Sequence, residues 1–234
     1  DRQAKTVTIV VQKLGYTTQR LSMKEAGDEL LDFVGPLGQA TELKKHKRVI
    51  GIGGGVGAAP LYPQLKKLAQ MGVDVDVIIG GRSAELCILG DEFAKFCTNV
   101  YYATNDGSLG REGFVTDVFN ELLAAGEVYD EVIAIGPLIM MKAVVGITKP
   151  LNIATSVSMN PLMIDGTGMC GGCRVTVGGE TKFACVDGPD FDGLLVDFDL
   201  AMSRQNYYKE EEEHVCRMDE SRKKLEEEAG GKSD

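Results

Sequence analysis

The sequence predicts an α/β protein built on a doubly wound, five-stranded parallel sheet, and three observations carry that expectation. From residue 48 to about residue 157, short apolar runs alternate with stretches of helical periodicity, and strands joined through helices pair in parallel by crossovers. A glycine-rich run, Gly51-Ile52-Gly53-Gly54-Gly55-Val56-Gly57, stands between the first strand and the first helix of this stretch. Apolar residues make up 44% of the chain and charged residues 26%, which suits a packed core rather than a disordered or fibrous chain.

The 234 residues divide into four segments. In the first, 1–45, strand-like runs at 6–12 and 29–34 flank a turn at Gly15-Tyr16-Thr17-Thr18, and Val7, Ile9 and Val11 fall on one face. So short a segment buries little apolar surface by itself, and it reads as part of a β-barrel. The chain begins without Met and is strand-like from residue 6, so a domain is expected to be entered partway. The second segment, 46–157, holds strands at 48–52, 73–79, 99–103, 131–135 and 152–157. Leu61, Leu65 and Leu68 recur at helical spacing between the first two strands, as do Phe114, Val118 and Leu122 between the third and fourth. The third segment, 158–200, loses the alternation and becomes rich in Gly, Cys and Asp, as a small ligand-stabilised module would. The fourth, 201–234, is charged, with Lys209 followed by four glutamates, and is expected to form a solvated helix that frays toward residues 230–234.

Charge and composition narrow the function. With 25 basic against 35 acidic side chains the net charge is −10, which opposes binding to a phosphate backbone, so nucleic acid is not an expected partner. No apolar stretch reaches about 18 residues and the start has no signal-peptide pattern, so no membrane association is expected and the cytoplasm is the expected compartment. In that compartment the six cysteines, at 87, 97, 170, 173, 185 and 216, point to metal or redox chemistry sooner than to disulfides. The two histidines, His46 in a basic run and His214 in the acidic tail, read as solvated. With no Gly-x-Ser-x-Gly elbow and no Walker phosphate loop, no acid–base or nucleophilic catalytic residue is expected.

The glycine run is the first candidate site. Glycines after a strand let backbone N–H groups approach a phosphate, and the helix N-terminus that follows adds a favourable partial positive charge. Gly53, Gly54, Gly55, Val56, Gly57 and Ala58 are therefore read as a pyrophosphate cradle, the alternative being a plain tight turn. No acidic residue ends the second strand; Gly80-Gly81-Arg82-Ser83 stands there. Arg82 is thus a candidate for contact with a ribose or a 2′-phosphate, or else a surface arginine. Asn105 and Asp106 follow the third strand and Gly136 the fourth, at strand ends where open α/β sheets bind ligands.

The second candidate is the loop Asp165-Gly166-Thr167-Gly168-Met169-Cys170-Gly171-Gly172-Cys173, with Cys185 further on. Two thiolates separated by two residues suit one metal centre, and glycines let the loop wrap it with N–H groups turned toward anionic sulfur. A fourth ligand is needed for a zinc ion or a 2Fe-2S cluster. Asp165, a carboxylate in the same loop, is favoured over Cys216. A structural zinc site and a redox-active dithiol are the alternatives, and Cys87 and Cys97 read as packing thiols.

Together with Gly35-Pro36-Leu37-Gly38 and Cys185-Val186-Asp187-Gly188-Pro189, these motifs make residues 6 to about 200 resemble the ferredoxin-NADP reductase-like flavoproteins with a C-terminal 2Fe-2S module. That group includes the small subunit of NADH-dependent ferredoxin:NADP oxidoreductase and the electron-transfer subunits of dihydroorotate dehydrogenase and sulfide dehydrogenase. The resemblance implies that the first segment belongs to an FAD-binding β-barrel, with Gly15, Thr17 and Thr18 near the FAD phosphates. It implies NAD(H) on Gly53 to Ala58, with Asn105, Asp106 and Gly136 lining the cleft. It also implies a 2Fe-2S cluster on Cys170, Cys173 and Cys185, with Asp165 as first ligand where the dihydroorotate dehydrogenase relatives have Cys. That Asp favours the ferredoxin:NADP oxidoreductase type, with electron bifurcation and a larger flavin and iron–sulfur partner subunit. The group's main flavin motif, an Arg before a short Ser/Thr-containing strand, is expected upstream of Asp1.

Overall fold

A computed structural model describes residues 3–230, which fall into two compact units: Gly35–Met202 form one, and the segments up to Val34 and from Ser203 form the other. In the smaller unit the expected turn at residue 15 is instead the start of a helix, α1 (Gly15–Leu21), whose first residue has φ +78°. The runs at 6–12 and 29–34 carry the alternation of strands but belong to no sheet among the described residues, and Val7, Leu31 and Phe33 are exposed. A strand is stabilised by a neighbour's N–H and C=O groups as much as by its own pattern.

The larger unit contains the expected sheet. β1 (Arg48–Gly54) runs through a 3-10 turn at Gly55–Gly57 into α2 (Ala58–Gln70). Then come β2 (Asp74–Gly81), α3 (Gly90–Phe93), β3 (Asn99–Thr104), β4 (Arg111–Glu112), α4 (Val115–Ala124), β5 (Glu131–Ile135), α5 (Leu138–Thr148) and β6 (Ala154–Ser158). A hairpin of β7 (Arg174–Val177) and β8 (Glu180–Phe183) leads into α6 (Ala184–Asp187), β9 (Asp190–Asp192) and α7 (Phe198–Arg204). The main sheet has the order β4-β3-β2-β1-β5-β6-β9, parallel from β4 to β6 and antiparallel only at β9. The five expected parallel strands are its centre; β4 and β9, of two and three residues, extend its edges.

Each face of the sheet carries its own core. Val49, Val75, Val77 and Ile133 pack under Leu61, Leu65 and Leu68 of α2, while Ile50, Ile52, Val132 and Ala134 pack against Phe119 of α4 and Met141 and Val144 of α5. The leucines expected to line α2 are all fully buried. The other expected stripe keeps Val118, which is buried, and Leu122, which packs against the same core, but loses Phe114. Phe114 lies before α4 and is 63% exposed, because Asp117 Oδ2 accepts its N–H at 2.8 Å and caps the helix there, leaving Val115, Val118 and Phe119 as the buried face.

Helix α2 lies close on β1 because β1 offers glycines toward it. A Cβ on Gly51 would stand 2.5 Å from Leu65 Cδ1 and 3.1 Å from both Leu61 methyls. Gly51→Val is therefore expected to destabilise the larger unit by about 1–3 kcal/mol, read as a lower urea midpoint at unchanged slope.

The tail forms α8 (Lys209–Gly230), as expected for a charged helix, and the fraying proposed beyond it lies outside the described residues. Among the described residues no helix is long and apolar enough to cross a membrane.

Candidate functional site

The glycine run takes up the expected geometry at the carboxyl ends of β1 and β5. Gly55 has φ +55° and open space where a side chain would be, so the chain turns there without obstruction. Gly57 has none: a Cβ would collide with the carbonyl oxygen of Ile135. One on Gly53 would lie 3.1 Å from Ala58 Cα, and one on Gly136 3.1 Å from Gly54 Cα. Glycine here lets the β1 turn and the β5 end close on each other while Gly55 stays open at the start of a 13-residue helix, where a phosphate group has room to approach.

The flanking loops are tied together. Asp106 Oδ1 accepts from Ser108 N at 3.0 Å and Ser108 Oγ at 2.6 Å, and Ser108 Oγ in turn accepts from Ala84 N at 2.8 Å. Those bonds from Ser108 hold the Asp106 carboxyl below the usual carboxylate range. Asp106 thus spends one oxygen on joining the loops after β2 and β3. Asn105 donates its backbone N–H to Gly81 O at 3.2 Å, and Arg82 is exposed on the rim with its carbonyl accepting from Asp106 N at 3.2 Å.

The second site is organised by a hairpin that sequence reasoning passed over, although its Gly-Gly turn was visible. Gly178 and Gly179 have φ +60° and +81°, which a two-residue hairpin turn requires. That turn sets the register Arg174↔Phe183. Cys173, just before the hairpin, therefore meets Cys185, just after it, and their Sγ atoms lie 3.2 Å apart, both buried. The spacing is well beyond a disulfide of about 2.05 Å. It is slightly under the roughly 3.8 Å of two thiolates on one tetrahedral metal with bonds of about 2.3 Å.

Asp165 and Cys170 form a second pair. Cys170 N donates to Asp165 Oδ2 at 2.9 Å, and Thr167 donates to Oδ1 through its N–H at 2.6 Å and through its hydroxyl. Thr167 first, then Cys170, hold the Asp165 carboxyl well below the usual range, so it is an anion at neutral pH. Gly166, Gly168 and Gly171 have φ of +80°, +94° and +65°, which lets the loop fold its N–H groups inward. Gly172 N reaches Cys170 Sγ at 3.4 Å and Cys185 N reaches Cys173 Sγ at 3.5 Å. The neighbouring Cys173 thiol, followed by burial, pushes the Cys185 thiol up.

Among the described residues no three His, Cys, Asp or Glu side chains converge as ligands of one metal ion. A two-iron cluster asks for something different, namely two pairs of anionic donors with N–H groups aimed at sulfur, and the donor set fits that pattern.

The remaining candidates separate. On α1, Glu212 Oε1 of α8 accepts from Tyr16 N at 3.3 Å, and the Thr18 hydroxyl is bonded to Leu14, its oxygen accepting from Leu14 N at 2.8 Å and its hydrogen directed to Leu14 O. The Gly15 to Thr18 segment thus opens α1 with polar contacts made to Leu14 and Glu212. His46 is not simply solvated, since its Nε2 lies 3.4 Å from Glu131 Oε2. Cys87 and Cys97 are half-buried against the α2 core, and burial pushes the Cys97 thiol up to about 12. Cys216 lies on α8.

Comparison with known proteins bears on the same loop. Residues 160–197 match the model of the iron-sulfur cluster binding domain of dihydroorotate dehydrogenase B. An uncharacterized protein in the adh 3′ region of Clostridium beijerinckii is 50% identical over 220 residues, 91% of this chain and 74% of the relative. A homolog of the dihydroorotate dehydrogenase B (NAD(+)) electron transfer subunit in Thermotoga maritima is 45% identical over 204 residues, 87% of this chain and 72% of the relative. A solved structure of an NADH-dependent reduced ferredoxin-NADP oxidoreductase, studied for flavin-based electron bifurcation, is 42% identical with a TM-score of 0.82, covering 89% of this chain and 75% of that one.

Proposed function

The chain belongs to the family of dihydroorotate dehydrogenase B electron-transfer subunits and is an electron-transfer subunit of a flavin and iron–sulfur oxidoreductase; from that premise we propose what each of its sites holds. The iron–sulfur group is a 2Fe-2S cluster, with Asp165 and Cys170 on one iron and Cys173 and Cys185 on the other. The observation that carries this reading is the hairpin-imposed approach of the Cys173 and Cys185 sulfurs at 3.2 Å beside the hydrogen-bonded Asp165 and Cys170. NAD(H) lies on Gly53, Gly54, Gly55, Val56, Gly57 and Ala58, with Arg82, Asn105, Asp106 and Gly136 around it. FAD contact at Gly15, Thr17 and Thr18 is proposed from the resemblance alone, with Glu212 as the group a phosphate must replace.

A bound flavin supplies exchange between a hydride and single electrons, and a bound cluster supplies one-electron transfer. The chain's own residues supply position. The glycines of the cradle let the nucleotide approach the backbone, Asp106 and Ser108 keep the rim closed, and the hairpin holds two ligands in register. Asp165 stays ionised through Thr167 and needs no proton acceptor to serve as a ligand. The partner is a larger flavin and iron–sulfur subunit in the cytoplasm, of the NADH-dependent ferredoxin:NADP oxidoreductase type.

The dihydroorotate dehydrogenase names of the relatives favour a second reading, in which the partner oxidises dihydroorotate. Purification with the native partner under anaerobic conditions separates the two. NADH is expected to bleach the flavin and iron–sulfur absorption, and NADH together with reduced ferredoxin to reduce NADP. Orotate-dependent turnover would select the second reading, and NADH that binds without bleaching any chromophore would overturn both.

Arg82 tests the nucleotide assignment. Arg82→Ala is expected to weaken NADH binding about tenfold, as loss of one charge-assisted hydrogen bond does, and to leave NADH preferred over NADPH. A wild-type preference for NADPH that vanishes in the variant would reverse the choice of NAD(H).

A further inference from the structure

Residues 37–41 run across the iron–sulfur loop and touch both of its ends. At the Cys185 end, Gln39 N donates to Gly188 O at 2.7 Å and the Thr41 hydroxyl donates to Asp190 Oδ2. Gly38 has φ +72°, and a Cβ there would collide with the Gly188 carbonyl oxygen and come within 3.6 Å of Cys185 O. At the Asp165 end, Leu37 Cδ1 lies 3.2 Å from where a Cβ on Gly166 would be. Gly166 and Gly188 are 22 positions apart in sequence, and one short strap spans them.

We propose that residues 37–41 are a positioning strap for the iron–sulfur cluster, with Gly38 its critical residue, because the backbone of Gly38 can lie against the Cys185–Gly188 turn only without a side chain. This rests on the reading that the Asp165 to Cys185 loop holds the cluster. Gly38 meets the turn at its backbone carbonyls. It acts through the peptide that carries Cys185, and Gln39 acts through the Gly188 carbonyl three residues further on. A side chain at position 38 meets both the left-handed φ, which L-residues resist, and the Gly188 oxygen, so the strap or the Cys185 turn must move.

The test compares anaerobically purified holoprotein of the wild type, Gly38→Ala, Leu37→Ala and Gly35→Ala, the last being a site where a Cβ would meet only Leu37 N at 3.9 Å. Iron release to a ferrous chelator is followed by visible absorption, and the cluster's electron paramagnetic resonance is recorded in the reduced state. Gly38→Ala is expected to release iron about tenfold faster, with altered resonance, as loss of outer support to a metal site does. Leu37→Ala, at an exposed residue, is expected to show a smaller increase in the same direction, and Gly35→Ala none. The thermal midpoint of the apoprotein is expected to move far less than the release rate. Wild-type release rates and an unchanged resonance in Gly38→Ala and Leu37→Ala would overturn the strap. So would an acceleration in Gly35→Ala equal to that in Gly38→Ala. Wild type purified without iron would instead defeat the cluster reading itself.

Discussion

Asp165→Ala is expected to strip the protein of most of its iron, at least tenfold in affinity, whereas Asp165→Cys keeps the cluster with an altered potential. The reason is the charge and placement of the carboxylate. Thr167 holds Asp165 ionised and directs it at the position beside Cys170, so with the proposed ligand set alanine leaves one iron with a single protein donor. Cysteine at 165 restores an anionic donor of a different kind, and the same loop glycines accommodate it. Cys216→Ala is the comparison, since Cys216 belongs to α8 and not to the iron–sulfur loop; it is expected to change neither iron content nor resonance. Iron retained in Asp165→Ala and lost in Cys216→Ala would exchange their roles.

Asp76→Ala is expected to cost about 3–5 kcal/mol of stability, toward the lower figure, the range for removing one partner of a buried ion pair. Asp76 is fully buried in the middle of β2. Its carboxylate accepts from Arg48 Nη2 at 2.7 Å, Tyr129 OH at 3.0 Å and Asn99 Nδ2 at 2.8 Å. Arg48 also pairs with Glu127, lies 3.6 Å from Asp74 and stacks on the Tyr129 ring at 4.9 Å. With Asp76 gone, Tyr129 and Asn99 lose their acceptor, and Arg48 keeps only its more exposed partners. The guanidinium retains some access to water, its side chain being 24% exposed, which places the cost at the lower end. Asp76→Asn keeps acceptor capacity without charge and is expected to lose about 1–2 kcal/mol. Urea unfolding followed by circular dichroism measures both, and a loss under about 1 kcal/mol for Asp76→Ala would show that the network carries little.

The difference in legibility between these two features is one of distance along the chain. The iron–sulfur loop could be read because Asp165, Cys170 and Cys173 are local and their glycines announce a wrapped backbone. The place of the glycine run between a strand and a helix could be read for the same reason, and the five parallel strands because their apolar runs carry the period themselves. Asp76 could not, since its partners come from β1, β3 and the turn before β5, and an aspartate inside an apolar run looks like an interruption until those partners are in place. The edge strands β4 and β9 consist of Arg-Glu and Asp-Phe-Asp and have too few apolar residues to show alternation. The runs at 6–12 and 29–34 make the opposite point, because they carry a strand's pattern and yet join no sheet among the described residues. The approach of Cys173 to Cys185 lies between these cases. Its cause is the Gly178-Gly179 turn, a local signal, but only the register of the hairpin turns that signal into a pair of neighbouring sulfurs.

The most direct test of the account is the iron and acid-labile sulfide content of the wild-type protein purified anaerobically. The protein is expected to be brown, with about two irons and two sulfides per chain, as a 2Fe-2S cluster on four protein donors requires. A colourless protein carrying stoichiometric zinc and no sulfide would contradict it.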